Sequence, residues 1–135
     1  MKKVVDRKWP YYALVLAGVY NIIWGIIAVL FPFLYFDFAG MERPVYPEIW
    51  QCVGMIVGVY GIGYIIAAKN PVRHWVIIFV GLLGKVFGPI GFLYNLIMGI
   101  FPVSFGILIV FNDLIWWLPF GAILLMVYNS ERKGL

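Results

Sequence analysis

The amino-acid sequence predicts an all-α membrane protein, a bundle of four transmembrane helices. The composition is 64% hydrophobic and 12% charged with a mean hydropathy of +0.98, whereas soluble domains carry about 25% charged residues. The chain contains four long apolar runs, and one helical crossing of a bilayer needs about 20 apolar residues. These runs are apolar on all sides, so they do not fit a β-barrel, whose segments of about 10 residues alternate in polarity. An aromatic content of 19% is also atypical of disordered chains.

Proline residues at the ends of the apolar runs indicate the expected helix boundaries. Pro10 suits the first turn of a helix, Pro32 ends the first run, and Pro71 follows the second run, since proline cannot continue a helix. The connection 32–47 is rich in Phe and Tyr, which predicts that it lies at the membrane interface. We therefore expect a single transmembrane domain over residues 1–135, with helices at about 10–31, 48–68, 74–100 and 103–128.

The distribution of Lys and Arg predicts the orientation. Only Arg43 lies on the side of the 32–47 connection, and eight cations lie on the other side: Lys2, Lys3, Arg7, Lys8, Lys69, Arg73, Arg132 and Lys133. Cytoplasmic loops of membrane proteins carry the excess of Lys and Arg. The expected topology is therefore N-in/C-in, with both termini cytoplasmic, in a bacterial inner membrane. Because these cations sit at the ends of apolar runs, the net charge of +4 does not indicate a nucleic-acid partner.

Two segments of the chain resemble each other. Tyr20–Ile26 (YNIIWGI) and Tyr94–Ile100 (YNLIMGI) are identical at five of seven positions. A Phe-Pro pair follows the first segment after four residues and follows the second segment directly. This similarity predicts a tandem repeat of two helical hairpins in the same orientation, related by an axis along the membrane normal. Chance similarity between two apolar helices is the alternative.

A few polar residues are expected near the middle of the membrane. With a rise of about 1.5 Å per residue and an apolar core about 30 Å thick, the midplane lies about ten residues from an entry point. Asn21 is eleven residues past Pro10, Lys85 is ten past Trp75, and Asp113 is eleven past Pro102. Two opposite charges at one depth predict that Lys85 and Asp113 meet inside the bundle.

The midplane pair is the centre of the candidate ligand site. Charged residues in a membrane interior are costly and commonly mark a functional site. The residues predicted to bind a ligand are Lys85, Asp113, Asn112, Asn21, Asn95, Glu48 and Gln51. The alternatives are a structural pair that joins the third and fourth helices, and a path for protons or ions. For Glu48, the alternative is a favourable interaction with the helix dipole at a helix N-terminus.

Glycines recur on one face of the second and third predicted helices. Helices in lipid associate through small residues that let their backbones approach closely. The residues predicted to pack helices together are Gly54, Gly58, Gly61, Gly81, Gly84, Gly88 and Gly91. The same faces are also compatible with a homo-oligomer or with a partner membrane protein.

Several kinds of site do not fit the sequence. One His and one Cys cannot supply the usual nitrogen and sulfur ligands of a metal site. Lys85 follows glycines, but Val86 stands where a phosphate-binding loop needs Ser or Thr. The chain has no Thr, and Ser104 and His74 are expected at opposite membrane edges, so a hydrolytic triad is not expected. We therefore predict no catalytic residues.

Three blocks of the sequence carry a resemblance to a known family. They are Glu48–Gly63 (EIWQCVGMIVGVYGIG), Gly81–Phe92 (GLLGKVFGPIGF) and Asn112–Phe120 (NDLIWWLPF). In these blocks the chain resembles a family of small bacterial four-helix membrane proteins, some of which carry the name alkyl hydroperoxide reductase. It is more loosely similar to DoxX-like proteins in size and topology, and some of those accompany quinone-linked oxidoreductases. The resemblance implies the four-helix fold. The peroxidase name implies reactive cysteines, and Cys52 is the only cysteine.

The expected function is that of a non-catalytic membrane module. Aromatic walls with a few polar groups are typical of ligand pockets, so the module is expected to bind a partner subunit or an apolar small molecule in a cleft around Lys85 and Asp113. Candidate ligands are a lipid, a quinone or a carotenoid. A small transporter or proton-coupled carrier acting as a dimer is one alternative. An intramembrane enzyme, or a subunit associated with an oxidoreductase, is the other.

Overall fold

The computed structural model describes residues 8–134. Residues 1–7 and 135, and with them the predicted cytoplasmic cations Lys2, Lys3 and Arg7, lie outside the described residues. Within residues 8–134 the chain forms helices and no strands. The all-α fold class predicted from composition is therefore confirmed.

Four helical spans are long and apolar enough to cross a membrane, with mean hydropathies between 1.7 and 2.3. The first is α1, a short helix α2 lies in the first connection, and α3 and α4 follow. The fourth span is built from a 3-10 turn, α5, a π-helical turn and α6. Their bounds are Trp9–Leu30 for α1, Leu34–Ala39 for α2, Pro47–Lys69 for α3, Trp75–Ile97 for α4, Val103–Phe105 for the 3-10 turn, Gly106–Ile109 for α5, Val110–Leu114 for the π turn and Ile115–Gly134 for α6.

The boundaries differ from the expected ones at two helix ends. The third span stops at Ile97 rather than at about residue 100, because Gly99 has a φ of +72° that a continuing α-helix cannot accommodate. The fourth span continues to Gly134, past the expected end at about 128. The 32–47 connection contains α2, which ends at Gly40 with a φ of +69°.

Helices α1 and α3 are packed backbone to backbone through glycine. A Cβ atom added to Gly18 would lie 2.6 Å from the carbonyl oxygen of Gly61, and a Cβ atom on Gly25 would overlap the carbonyl oxygen of Gly54. Only residues without a side chain permit this approach. The close approach of α1 to α3 therefore involves Gly54, Gly58 and Gly61: a Cβ atom on Gly25 would also lie 3.1 Å from the backbone nitrogen of Gly58, although a Cβ atom on Gly58 itself would meet nothing within 4 Å.

The glycines of α4 have different neighbours. Gly81 receives the ring of Tyr64, since a Cβ atom there would lie 2.5 Å from that ring. Gly88 lies against the carboxylate of Asp113. A Cβ atom on Gly84 or Gly91 would meet nothing within 4 Å. The α4 stripe thus makes room for side chains rather than for another backbone.

The interior is closely packed toward the end of the bundle at which α1 begins and α6 ends, which we call the terminal end. Its core is formed by Leu14, Ala17, Tyr64, Ala67, Ala68, Ile78, Trp116, Phe120, Ile123 and Val127. At the opposite end, which carries residues 31–46 and which we call the loop end, α2 lies over the bundle. There Tyr35 stacks on Trp24 at 4.8 Å between ring centroids, and Phe36 meets Trp50 at 4.9 Å. Aromatic rings from α2 therefore cover the interior at the loop end.

Candidate functional site

A cavity of about 410 Å³ lies between the packed core and the α2 cover. Its volume is within the range of about 300–1,000 Å³ that small-molecule sites occupy. On α3 its walls extend from Trp50 to Tyr64, which is about 21 Å of helical rise, so the cavity is elongated along the membrane normal. The lining residues are Tyr20, Asn21, Trp24, Trp50, Val53, Ile56, Val57, Tyr60, Tyr64, Gly81, Gly84, Lys85, Gly88, Phe105, Asn112 and Asp113.

Lys85 is the buried cation of this cavity, with 5% of its surface exposed. Its ammonium group donates a hydrogen bond of 2.7 Å to the backbone carbonyl of Asn112. The rings of Tyr64, Trp116 and Phe120 surround it, each with its centroid 5.8 Å from Nζ, within the range of cation–π attraction. An ammonium group has three donors, and the described residues supply one acceptor. Two donors of Lys85 therefore have no acceptor among residues 8–134.

Asp113 lines the same cavity but does not form an ion pair with Lys85. Its carboxylate lies against Gly88. Among residues 8–134, the one Lys or Arg contact to a carboxylate within 4.0 Å joins Arg43 to Asp37 at 2.8 Å, and neither residue lines the cavity. The expected direct meeting of the two midplane charges is thus replaced by a shared cavity, because Lys85 reaches the backbone of the residue that precedes Asp113.

Breaks in helix hydrogen bonding supply the carbonyls that join α4 to the fourth span. Pro89 has no N–H, so the carbonyl of Lys85, four residues earlier, has no partner within its helix. That carbonyl accepts a hydrogen bond of 2.8 Å from the indole of Trp117. In the π turn the N–H of Ile115 donates to the carbonyl of Val110, five residues back. The Asn112 carbonyl that Lys85 binds belongs to this turn, and π turns are frequent at functional sites.

Polar contacts from α1 complete the site. The hydroxyl of Tyr20 donates to the side-chain oxygen of Asn112. The amide of Asn21, which is 5% exposed, donates to the backbone carbonyl of Val57 at 3.3 Å. The structure therefore brings together four of the predicted ligand-binding residues around one cavity: Lys85, Asp113, Asn112 and Asn21.

The other three predicted ligand-binding residues lie outside the cavity. Asn95 donates to the carbonyl of Gly91 on its own helix at 2.8 Å, and Gln51 donates to the carbonyl of Val29 on α1 at 2.8 Å. Glu48 is in the first turn of α3, where an acid interacts favourably with the helix dipole. Asn21 and Asn95, which correspond in the two similar segments, thus have different surroundings.

The sequence predicts aromatic walls around the cleft but does not show which aromatic residues form them. Tyr20 and Trp24 are four residues apart, as are Tyr60 and Tyr64, and this spacing places each pair on one helix face. The indole N–H groups of Trp24 and Trp50 are buried and have no hydrogen-bond partner among the described residues. A buried donor without an acceptor costs about 1–3 kcal/mol. The spacing is a signal that could have been used, but 26 aromatic residues in the chain make it common.

The cavity opens sideways between α3 and α4. The lining residues Val53, Ile56 and Tyr60 on α3 are exposed, as is Gly84 on α4. Because Gly84 has no side chain, nothing at this position narrows the opening. An apolar molecule dissolved in a membrane could therefore enter without passing through water. Comparison with protein families, with curated proteins and with solved structures found no match to this chain.

Proposed function

We propose that the protein binds an apolar small molecule that carries an oxygen acceptor group, with the acceptor at Lys85 and the apolar part along the aromatic walls. The observation that carries this proposal is the pair of unused donors on the buried Lys85 ammonium at the side of an open 410 Å³ cavity. An unpaired polar group in a membrane interior is costly, and an oxygen atom of a ligand would supply the absent acceptor.

The charge of the cavity favours a ligand without net charge. Lys85 and Asp113 contribute opposite charges to the same walls. An anion at Lys85 would gain from the ammonium and lose from the carboxylate, whereas a carbonyl or hydroxyl would gain without that opposing interaction. A quinone, a carotenoid with an oxygen function and a neutral lipid all fit this description.

Tryptophan fluorescence offers a direct test, because Trp24 and Trp50 line the cavity. The purified protein in lipid nanodiscs would be titrated with a short-chain quinone, with all-trans-retinol and with palmitate. We expect saturable quenching by at least one of the two neutral probes. Lys85→Met removes a hydrogen bond from a charged group, about 1.5–3 kcal/mol, and should weaken binding roughly tenfold to 150-fold.

Lys69→Met is the matched control, since Lys69 is an exposed lysine in the last turn of α3. It should bind each probe as the unaltered protein does. Quenching that rises linearly in all three proteins would report partitioning into lipid and would contradict the proposal.

A second candidate function is transport, favoured by the position of the two ionisable residues. Intramembrane charges mark substrate and proton pathways in many transporters, and Pro89 and the π turn interrupt the two helices that carry Lys85 and Asp113. In liposomes with a pH gradient, this function predicts a proton flux that Asp113→Asn abolishes. An equal flux in liposomes that contain the variant would exclude it.

We propose further that the chain lies in a bacterial cytoplasmic membrane with both termini in the cytoplasm. The described cations Lys8, Lys69, Arg73, Arg132 and Lys133 lie at one end of the bundle, and Arg43 lies at the other. In a Cys52→Ser background, a thiol-reactive probe that cannot cross membranes should label Glu42→Cys in intact cells. It should label Ser130→Cys only after lysis, and the reverse pattern would refute this topology. The tandem repeat stays a prediction.

A further inference from the structure

We propose that Lys85 forms an imine with an extended apolar aldehyde, which deepens the proposed function by naming a ligand class and a covalent bond. The inference rests on the proposed binding of an apolar ligand in the cavity. It starts from the position of the amine. The other five lysines lie in the tails or at helix ends, and Lys85 is the one lysine in the interior of an apolar helix. Lysines in apolar pockets are the residues that form imines with carbonyl compounds.

The hydrogen-bond inventory of the site fits an imine better than an ammonium. The lysine ammonium first releases a proton, the neutral amine condenses with the aldehyde to form a C=N bond between Nζ and the carbonyl carbon, and a proton then returns to that nitrogen. The two hydrogens of the neutral amine leave with the carbonyl oxygen as water, and the returned proton is the single N–H of the protonated imine. The described residues offer Nζ one acceptor, the carbonyl of Asn112 at 2.7 Å. This one acceptor is enough for the single N–H of the imine. For the ammonium group, it would leave two of the three N–H donors without an acceptor.

The protonated imine keeps the positive charge of the ammonium group, and the surroundings of Nζ suit that charge. The aromatic rings of Tyr64, Trp116 and Phe120 lie 5.8 Å from Nζ. Asp113 supplies an opposite charge in the same cavity without a direct contact to Lys85. Lys85 and Asp113 both line the cavity in which the carbon attached to the imine nitrogen would lie. Intramembrane carboxylates act as counter-ions to bound cations of this kind.

The shape of the cavity selects an extended molecule. Its walls on α3 run from Trp50 to Tyr64, about 21 Å of rise, and Lys85 reaches them from α4. Six of the sixteen lining residues are aromatic, so a flat conjugated chain would be in contact with several rings. The lateral opening beside Gly84 admits such a molecule from the membrane.

The probe for this proposal is all-trans-retinal, used as an extended conjugated aldehyde. The full-length protein in nanodiscs would be incubated with the probe, reduced with borohydride and measured by intact mass spectrometry with peptide mapping. Reduction fixes the imine as an amine, so the expected product is heavier by the mass of the aldehyde minus one oxygen atom. We expect one adduct per chain, located at Lys85.

Two variants and one non-reactive probe separate the possible outcomes. Lys85→Arg keeps the cation and a donor for Asn112 but cannot form an imine, so it should lose the adduct, whereas Lys69→Met should keep it. All-trans-retinol, which cannot condense, should still quench the tryptophans of Lys85→Arg, and this shows that the cavity is intact. An adduct spread over surface lysines, or one that persists in Lys85→Arg, would overturn the proposal.

The failure of this proposal is distinguishable from the failure of the proposed function. Saturable quenching by retinol without an adduct at Lys85 would refute the imine and leave non-covalent binding in place. Neither quenching nor adduct would refute both.

Discussion

Lys85 brings a positive charge to the middle of an apolar helix, which costs about 2.5–3.5 kcal/mol on insertion scales. Its hydrogen bond to the Asn112 carbonyl is worth about 1.5–3 kcal/mol as a bond to a charged group. Three aromatic rings within 5.8 Å add cation–π attraction of about 0.5–2 kcal/mol. The protein thus roughly compensates for the buried charge without an ion pair. Asp113 is therefore available to a ligand rather than committed to Lys85.

The exposed pair at the loop end provides a pH prediction outside the membrane-spanning segments. The guanidinium of Arg43 donates hydrogen bonds of 3.0 and 2.8 Å to Asp37, and these hold the pKa of that carboxyl below its ordinary value of 3.8. The ion pair therefore contributes at pH values above the ordinary pKa, and its contribution is lost as the pH falls through the lowered pKa. In an NMR titration, Arg43→Gln should raise the pKa of Asp37 toward 3.8. An unchanged pKa would show that the pair is not formed in solution.

At the scale of the helices, the contacts between α4 and the fourth span form where the regular helical hydrogen bonding is interrupted. Pro89 leaves the Lys85 carbonyl for Trp117, and the π turn presents the Asn112 carbonyl to Lys85. Two side chain–backbone bonds therefore join α4 to the fourth span in opposite directions. This arrangement fixes the height at which Lys85 meets the cavity.

A double-mutant cycle tests the role of Pro89. Trp117→Phe should destabilise the protein by about 1 kcal/mol, the net value of a typical hydrogen bond. In a Pro89→Ala background the same change should cost less, because the substituted residue has a backbone N–H that can bond to the Lys85 carbonyl within the helix. The measurement is unfolding by denaturing detergent, followed by circular dichroism. Equal costs in both backgrounds would mean that Pro89 does not free that carbonyl.

The contact between α1 and α3 gives a second prediction for the helices. A Cβ atom on Gly61 would lie 2.5 Å from the carbonyl oxygen of Gly18, so Gly61→Ala should destabilise the bundle by about 1–3 kcal/mol, as overpacking does. Gly91→Ala is the control, since its Cβ atom meets nothing within 4 Å and the change should stabilise α4 by about 0.5–1 kcal/mol. Similar effects of the two substitutions on detergent unfolding would contradict the close packing of α1 and α3.

Depth could be predicted from the sequence, but direction around the helix axis could not. The fixed rise of a helix placed Asn21, Lys85 and Asp113 at one level, and they line one cavity. A helix that is apolar on all sides has no polar face to indicate which side points into the bundle. The predicted site therefore included Asn95 and Gln51, which lie outside the cavity. The π turn leaves no pattern in the sequence, and neither does the choice of the Asn112 carbonyl over the Asp113 carboxylate as the partner of Lys85.

For the molecule as a whole, the proposed function depends on the contrast between a packed core at the terminal end and a cavity beside it. The terminal end is filled by the core around Leu14, Tyr64 and Phe120. The loop end holds the cavity under α2, with the polar groups at its walls. In the proposed function this cavity holds the ligand, which enters from the membrane through the opening between α3 and α4.

Native mass spectrometry of the protein purified from its own membranes tests this account most directly. We predict one apolar small molecule per chain, held through an oxygen atom or as an imine, in the unaltered protein and in Lys69→Met, and its loss in Lys85→Met. A chain released without a bound molecule, or the same adducts in all three proteins, would contradict the claim that the cavity around Lys85 is a ligand site.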